Sequence, residues 1–207
     1  MKTFSLINKK GGVGKTTITV NLAYALAESC DLRVLVIDND DQGNDSQFFA
    51  VEPQTTLADI LLGRKNIQDV IQSTRYGNID IIASGAELLD GNVSVIKDEE
   101  IVQQTILKEA LEQVKESYDI CLIDNPPTIN ASVINGLVAS DEVIIVTTPH
   151  IYSIRGVDQM VEYIDSIKAY NPNLRIRGCL LNRFSSTKNG FKCIDALKKY
   201  PLFKTRI

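Results

Sequence analysis

Apolar residues fall along this chain in short unbroken runs, separated by longer stretches with helical spacing. Residues 4–7, 33–38 (RVLVID), 79–83 (IDIIA), 119–124 (DICLID), 143–149 (VIIVTTP) and 175–182 (RIRGCLLN) read as strands, and the final LFKTRI as the start of another. Between them, Val20, Leu22, Ala23, Leu26 and Ala27 recur with the period of a helix. So do Ile101, Ile106, Leu107, Ala110, Leu111 and Val114 within 98–116, and Ile154, Val157, Val161, Ile164 and Ile167 within 153–170. Two short helices are expected at 56–62 and 66–73, around Gly63, and one more at 190–199. Strands alternating with helices imply a parallel sheet covered on both faces. The runs VLVID, CLIDN and VIIVTT lack polar alternation, as a sheet buried on both faces requires.

In such a sheet, ligands bind beyond the carboxyl ends of the strands. The polar segments after each strand should therefore converge: Lys10–Thr17, Asp38–Gln42, Asp124–Pro127, Thr148–Pro149 and Asn182–Arg183. The first is the most specific. Strand 4–7 runs into Lys9-Lys10-Gly11-Gly12-Val13-Gly14-Lys15-Thr16-Thr17 and then a helix. A helix N-terminus presents free N–H groups and a positive dipole end, and glycines let successive N–H groups face one anion. Strand, glycine turn, Lys-Thr and helix make a phosphate loop, with Lys15 reaching outer phosphates and Thr16 placing its hydroxyl on Mg²⁺. Clustered lysines around three glycines repel one another unless an anion lies between them.

Two acidic strand ends complete the picture. Asp124 closes an apolar strand, where a carboxylate would hold a magnesium shell through water; Pro126 and Pro127 stiffen the turn after it. Asp38 and Asp40 lie two apart after the second strand, on one side of an extended segment, where a cation or water network would relieve their repulsion. His150, the only histidine, has no Cys, His or acid at ligand spacing and reads as a loop residue.

Composition narrows the class. With 207 residues, 44% apolar and 23% charged, the chain suits one large globular domain. Net charge is −4, so bulk charge gives no sign of nucleic-acid binding, although a local basic patch stays open. The four cysteines, Cys30, Cys121, Cys179 and Cys193, are scattered, which fits a reducing cytosol. The chain enters its first strand without a signal peptide, and no apolar run reaches the roughly 18 residues of a membrane span.

The glycine turn departs from G-x-x-x-x-G-K-[ST], because position 9 is Lys9 and an extra lysine, Lys10, precedes Gly11-Gly12. KGGVGKT resembles the deviant Walker A motif of the ParA/MinD superfamily. IDNDDQGN resembles that family's D-x-D-P-Q-G-N segment, and DNPP its D-x-P-P. TLADILLGRKNIQDVI, YDICLIDNPP and VTTPHIYSIRGVDQM look like ParA/Soj-type partition ATPases, so the resemblance covers nearly the whole chain. It implies an α/β single-domain phosphate-loop NTPase with a mostly parallel twisted sheet and helices on both faces. ATP and Mg²⁺ are the implied cofactors, and the activity is a slow, partner-stimulated ATPase in plasmid or chromosome partition. In residue terms, Lys10, Gly11, Gly12, Val13, Gly14, Lys15, Thr16 and Thr17 bind nucleotide, and Thr16, Asp38 and Asp124 surround magnesium. Asp40 orients the attacking water, and Lys10 crosses to a partner subunit's phosphates in an ATP-sandwich homodimer. Asn182 resembles the family's adenine-binding asparagine, with Arg183 stacking on the base. Thr187-Lys188-Asn189-Gly190 has glycine where a guanine-reading motif needs Asp, so ATP is expected rather than GTP.

Other implied properties are non-specific DNA binding, a ParB-like partner and a cytoplasmic, nucleoid-associated location. Lys188, Lys192, Lys198, Lys199, Lys204 and Arg206 are the candidate DNA surface, with a solvated helix face as the plain reading of the same residues. Asp41 stands where the family has proline, which loosens the loop and bears on hydrolysis rate. The family's further C-terminal helices have no counterpart after LFKTRI. Two other functions stay open: a MinD-like membrane-cycling ATPase, which needs a C-terminal amphipathic helix not visible in GFKCIDALKKYPLFKTRI, and a nucleotide-dependent scaffold with impaired hydrolysis.

Overall fold

A computed structural model describes residues 1–97 and 103–207. Its described strands form one sheet of order β3-β4-β2-β5-β1-β6-β7-β8. They are β1 (Lys2–Ile7), β2 (Val34–Asp38), β3 (Gln72–Ser73), β4 (Ile79–Ile82), β5 (Ile120–Asp124), β6 (Glu142–Thr147), β7 (Arg175–Leu181) and β8 (Leu202–Arg206). Pairing is parallel except for β3, which runs antiparallel to β4 with Gln72 opposite Ile81. The helices are α1 (Lys15–Cys30), α2 (Asn44–Phe48), α3 (Leu57–Leu61), α4 (Ile67–Val70), α5 (Glu87–Lys97), α6 (Ile106–Glu112), α7 (Ala131–Val138), α8 (Ile151–Ile167) and α9 (Lys188–Leu197).

The unbroken apolar runs are explained by burial on both faces. All five residues of β2 are buried. Val34 and Val36 pack with Ile18, Val20, Ala23 and Ala27 of α1 on one face, while Leu35 and Ile37 pack with Leu57, Leu61, Leu107 and Leu111 on the other. Ile7, Val143 and Ile145 extend that second face toward Val157, Met160 and Ile164 of α8 and Ile194 and Leu197 of α9. Helices thus cover both faces, unequally: α1 lies on one, and α3 to α9 pack mainly on the other.

The described elements differ from the sequence pattern at three places. The helix expected at 66–73 stops at Val70, because Gln72 and Ser73 pair with β4. Of the helix expected at 98–116, residues 98–102 lie outside the described residues, and Ile106–Glu112 is helical. Helices α2, α5 and α7 were not marked by periodicity. His150 is the N-cap residue of α8. Cys121, Cys179 and Cys193 are buried and Cys30 is exposed, all as free thiols. No described helix is long and apolar enough to cross a membrane.

Candidate functional site

The central strands β2, β5 and β1 end in register, with Asp38 beside Asp124 and Asp124 beside Leu6. Their carboxyl ends meet the start of α1. The turn from β1 enters under control of Asn8, which is buried, donates to Val146 O at 2.6 Å and accepts from Lys10 N–H at 2.9 Å. Gly12 (φ 70°) and Gly14 (φ 95°) take left-handed backbone that side chains disfavour, and Gly14 is the N-cap residue of α1. The Asn182 amide lies so close to Gly14 that a Cβ there would overlap its Nδ2.

This turn forms one wall of a cavity of about 330 Å³ lined by Gly11, Gly12, Gly14, Lys15, Thr16, Thr17, Asp40, Asn44, Pro127 and Arg183. Four of the five segments expected to converge supply lining residues; Thr148 and Pro149 do not. Lys15 is buried, only 7% exposed, although it opens the helix. Burial lowers its pKa, against the attraction of Asp124 and Asp40. Lys9 and Lys10 are exposed. The Lys9 ammonium lies 5.7 Å from the Tyr163 ring centroid on α8.

Thr16 Oγ1 donates to Asp124 Oδ2 at 2.5 Å, and Thr19 Oγ1, one turn on, reaches Asp124 Oδ1 at 3.3 Å and Lys15 O at 3.1 Å. Burial nevertheless pushes Asp124 up to about 7, against the Thr16 hydrogen bond and Lys15. Asp38 is fully buried and accepts from Ser46 N–H at 3.0 Å and Ser46 Oγ at 2.8 Å. Burial raises its pKa too, resisted by those two bonds. β2 ends at Asp38, so Asp40 reaches the cavity through a bend, not by strand alternation; its Oδ1 accepts from Gln42 N–H at 3.1 Å.

Asn182 is buried at the end of β7. Its Nδ2 donates to Val13 O at 2.7 Å and its Oδ1 accepts from Arg183 N–H at 2.9 Å. One amide hydrogen therefore clamps the glycine turn. Arg183 is exposed at the cavity with φ 56°.

Several polar residues at the site were not singled out from sequence. Asn8, Thr19, Ser46 and Asp45 carry no motif; Asn8 and Thr19 act through Val146 and Asp124, far along the chain, and Ser46 through Asp38. Asp45 is the most unusual: it is fully buried, neither oxygen has a hydrogen-bond partner, and burial followed by the charges of Asp124, Asp38 and Asp40 holds its pKa well above the carboxylate range. A polar ladder lies beneath: Asn39 Nδ2 donates to Asn125 Oδ1 at 2.9 Å and Ser132 O at 3.1 Å, tying the tips of β2 and β5 to α7.

The expected basic surface is partly neutralised. Lys198 pairs with Asp195 at 2.7 Å and Lys199 with Asp158 at 2.8 Å, and the Arg206 guanidinium sits 5.1 Å from the Phe184 ring centroid. Lys188, Lys192 and Lys204 are exposed.

Comparison with known proteins places this geometry. A family model described as an AAA domain matches residues 1–176. The sporulation initiation inhibitor protein Soj of Bacillus subtilis is 35% identical over 204 residues, covering 96% of this chain and 79% of Soj. The chromosome partitioning protein ParA of Myxococcus xanthus is 32% identical over 205 residues, covering 97% of this chain and 71% of that protein. The crystal structure of cobyrinic acid a,c-diamide synthase from Mycobacterium smegmatis, with bound ADP and magnesium, superposes with a TM-score of 0.93 at 25% identity, covering 100% of this chain and 86% of that one. A match across most of the chain, joined to relatives that align along most of their own length, admits one placement: the chain belongs to the ParA/Soj-type partition ATPases of the ParA/MinD superfamily.

Proposed function

We propose that the chain binds magnesium-ATP in the glycine-walled cavity and hydrolyses it as a partition ATPase. The observation that carries this reading is the Thr16–Asp124 hydrogen bond beside the buried Lys15 ammonium, at the N-terminus of α1. Gly11, Gly12, Val13 and Gly14 would present backbone N–H groups to phosphate oxygens, and Lys15 would neutralise the outer phosphates. The donor set also suits magnesium: Thr16, Asp38 and Asp124 offer hard oxygens, and Asp45 adds two buried oxygens without partners. When bound, that ion would neutralise charge on the phosphate oxygens.

The remaining roles follow from position. Asp40, at the cavity wall, would accept a hydrogen bond from the attacking water and orient it. Asn182 would offer its other amide hydrogen to adenine, and Arg183 would stack on the base. Lys10, exposed beside the glycine turn, would reach the phosphates of a second subunit across an ATP-sandwich dimer. In that arrangement the nucleotide is the charge that lets two lysine-bearing turns face each other, so its hydrolysis releases the dimer. The dimer would hold DNA phosphates through Lys188, Lys192 and Lys204, with salt-dependent affinity. A ParB-like partner would stimulate turnover.

Turnover of magnesium-ATP with and without DNA tests the reading. DNA-bound, slowly hydrolysing protein is expected, and Lys10→Ala should bind nucleotide yet stay monomeric by light scattering. No ATP binding by calorimetry would refute the proposal at its base, and normal ATP-dependent dimers of Lys10→Ala would remove the crossing role.

A further inference from the structure

Among the described residues, Asp45 is the one carboxylate with both oxygens buried and without a hydrogen-bond partner. It lies on α2, next to Ser46, whose N–H and hydroxyl are both given to Asp38. The charge it meets most strongly is Asp124, then Asp38 and Asp40. The buried cation of the site, Lys15, is engaged with Asp124 and Asp40. A carboxyl group so enclosed forfeits its hydration and receives nothing in return, a cost a folded chain keeps when a ligand completes the site.

The missing partner must supply hydrogen-bond donors and positive charge together. No three acidic, histidine or cysteine side chains among the described residues converge closely enough to hold a bare ion. Magnesium does not need such a cage, because it keeps several of its waters and takes one or two protein ligands. Those waters are polarised donors, which is what Asp45 lacks.

We propose that Asp45 is an outer anchor of the magnesium site, accepting hydrogen bonds from water bound to the ion that Thr16 and Asp124 hold. The proposal rests on the magnesium-nucleotide reading above and deepens it. Asp45 acts through the ion's waters and is a positioning residue. It gives the metal a third carboxylate that neither the glycine turn nor the strand-end acids announce.

The test is a Mn²⁺ titration of the ADP-bound full chain, followed by electron paramagnetic resonance, in wild type, Asp45→Asn and Asp45→Ser. Outer-shell partners of a metal are worth about 10–100-fold in affinity. Both variants should therefore hold Mn²⁺ about tenfold more weakly, while ADP affinity in excess chelator stays at the wild-type value. A merely structural Asp45 would shift the melting temperature and leave Mn²⁺ affinity alone, and that result overturns the proposal. Wild-type protein whose ADP affinity is the same with Mg²⁺ and with chelator overturns the magnesium-nucleotide reading itself, and the two failures are told apart by which protein shows them.

Discussion

Gly14→Ala tests whether the glycine turn and Asn182 act as one unit. The substitution has two separable costs. Left-handed backbone at φ 95° costs a residue with a Cβ about 1–2 kcal/mol. The new methyl also overlaps the Asn182 amide, which must swing away and give up its 2.7 Å bond to Val13 O. That loss leaves a buried donor unpaired, at about 1–3 kcal/mol. The sum, about 2–5 kcal/mol, is a large share of the stability of an ordinary domain. Asn182→Ala alone should cost about 1–3 kcal/mol, since Val13 O then loses its partner. Combined, the two should cost less than their sum, because with no amide at 182 the methyl meets nothing there and only the backbone term is added. Urea unfolding of the two single variants and the double variant measures this directly. A coupling of at least about 1 kcal/mol, with the double variant more stable than additivity predicts, is expected for residues in contact. Strict additivity would refute the idea that Asn182 is packed against the turn.

Three further outcomes follow from the site and its scaffold. Ser46→Ala removes the hydroxyl that Asp38 and the Ser84 N–H both use, at 2.8 and 3.2 Å, and should cost about 2 kcal/mol in urea unfolding. Thr16→Ala should erase the difference between ADP affinity with Mg²⁺ and with chelator, read by calorimetry, while leaving the chelator value near wild type. Asp119 is held at about 2 by hydrogen bonds from Arg33, whose backbone N–H, Nε and Nη2 reach it at 2.9, 3.2 and 2.9 Å. A depressed carboxylate stabilises the fold above its ordinary pKa of 3.8 and stops doing so as pH falls through the folded value. The stability gap between wild type and Asp119→Asn should therefore be level from pH 7 to about 4 and close toward pH 2; a gap that widens in acid would contradict the clamp.

Much of this architecture was legible because its causes are local. β2 and β5 announce themselves as unbroken apolar runs, and α1 as a period following a glycine turn. The elements that escaped are held by contacts from far along the chain. α5 contains Gly91 and Asn92, poor helix residues, yet Gly91 leaves room for Ala58 against it and Asn92 Oδ1 accepts from Ser132 N–H at 2.7 Å. α7 carries Asn135 and Gly136 in its middle; Asn130 caps it by accepting from Val133 N–H, and a side chain at 136 would crowd Asn39 and Asn125. The same holds at the site. Lys15, Thr16 and Asp124 carry motifs, whereas Asp45 sits in a run of polar residues that reads as an exposed loop. Only the fold of α2 behind β2 turns it inward.

The charges of this site are sorted by sign, and that has a thermodynamic consequence. Lysines 9, 10 and 15 stand at the glycine turn, and Asp38, Asp40, Asp45 and Asp124 gather at the tips of β2 and β5 and on α2. Burial works against both sets at once, lowering Lys15 and raising Asp124. A phosphate chain alone would satisfy the lysines while facing the carboxylates, and a metal ion alone would do the reverse. Each ligand therefore removes the obstacle to the other, so under the proposed function their binding must be strongly and positively coupled. By linkage the coupling is reciprocal: the factor by which Mg²⁺ tightens ADP equals the factor by which ADP tightens Mg²⁺. Asp45 belongs to the carboxylate side of this balance, since the charges that act on it are those of Asp124, Asp38 and Asp40. Its substitution by asparagine should weaken Mg²⁺ binding to the ADP-bound chain and shrink the gain in ADP affinity that Mg²⁺ brings, while ADP affinity in chelator stays at the wild-type value; a fall in the chelator value would mean that Asp45 perturbs the fold of the site and not its charge balance.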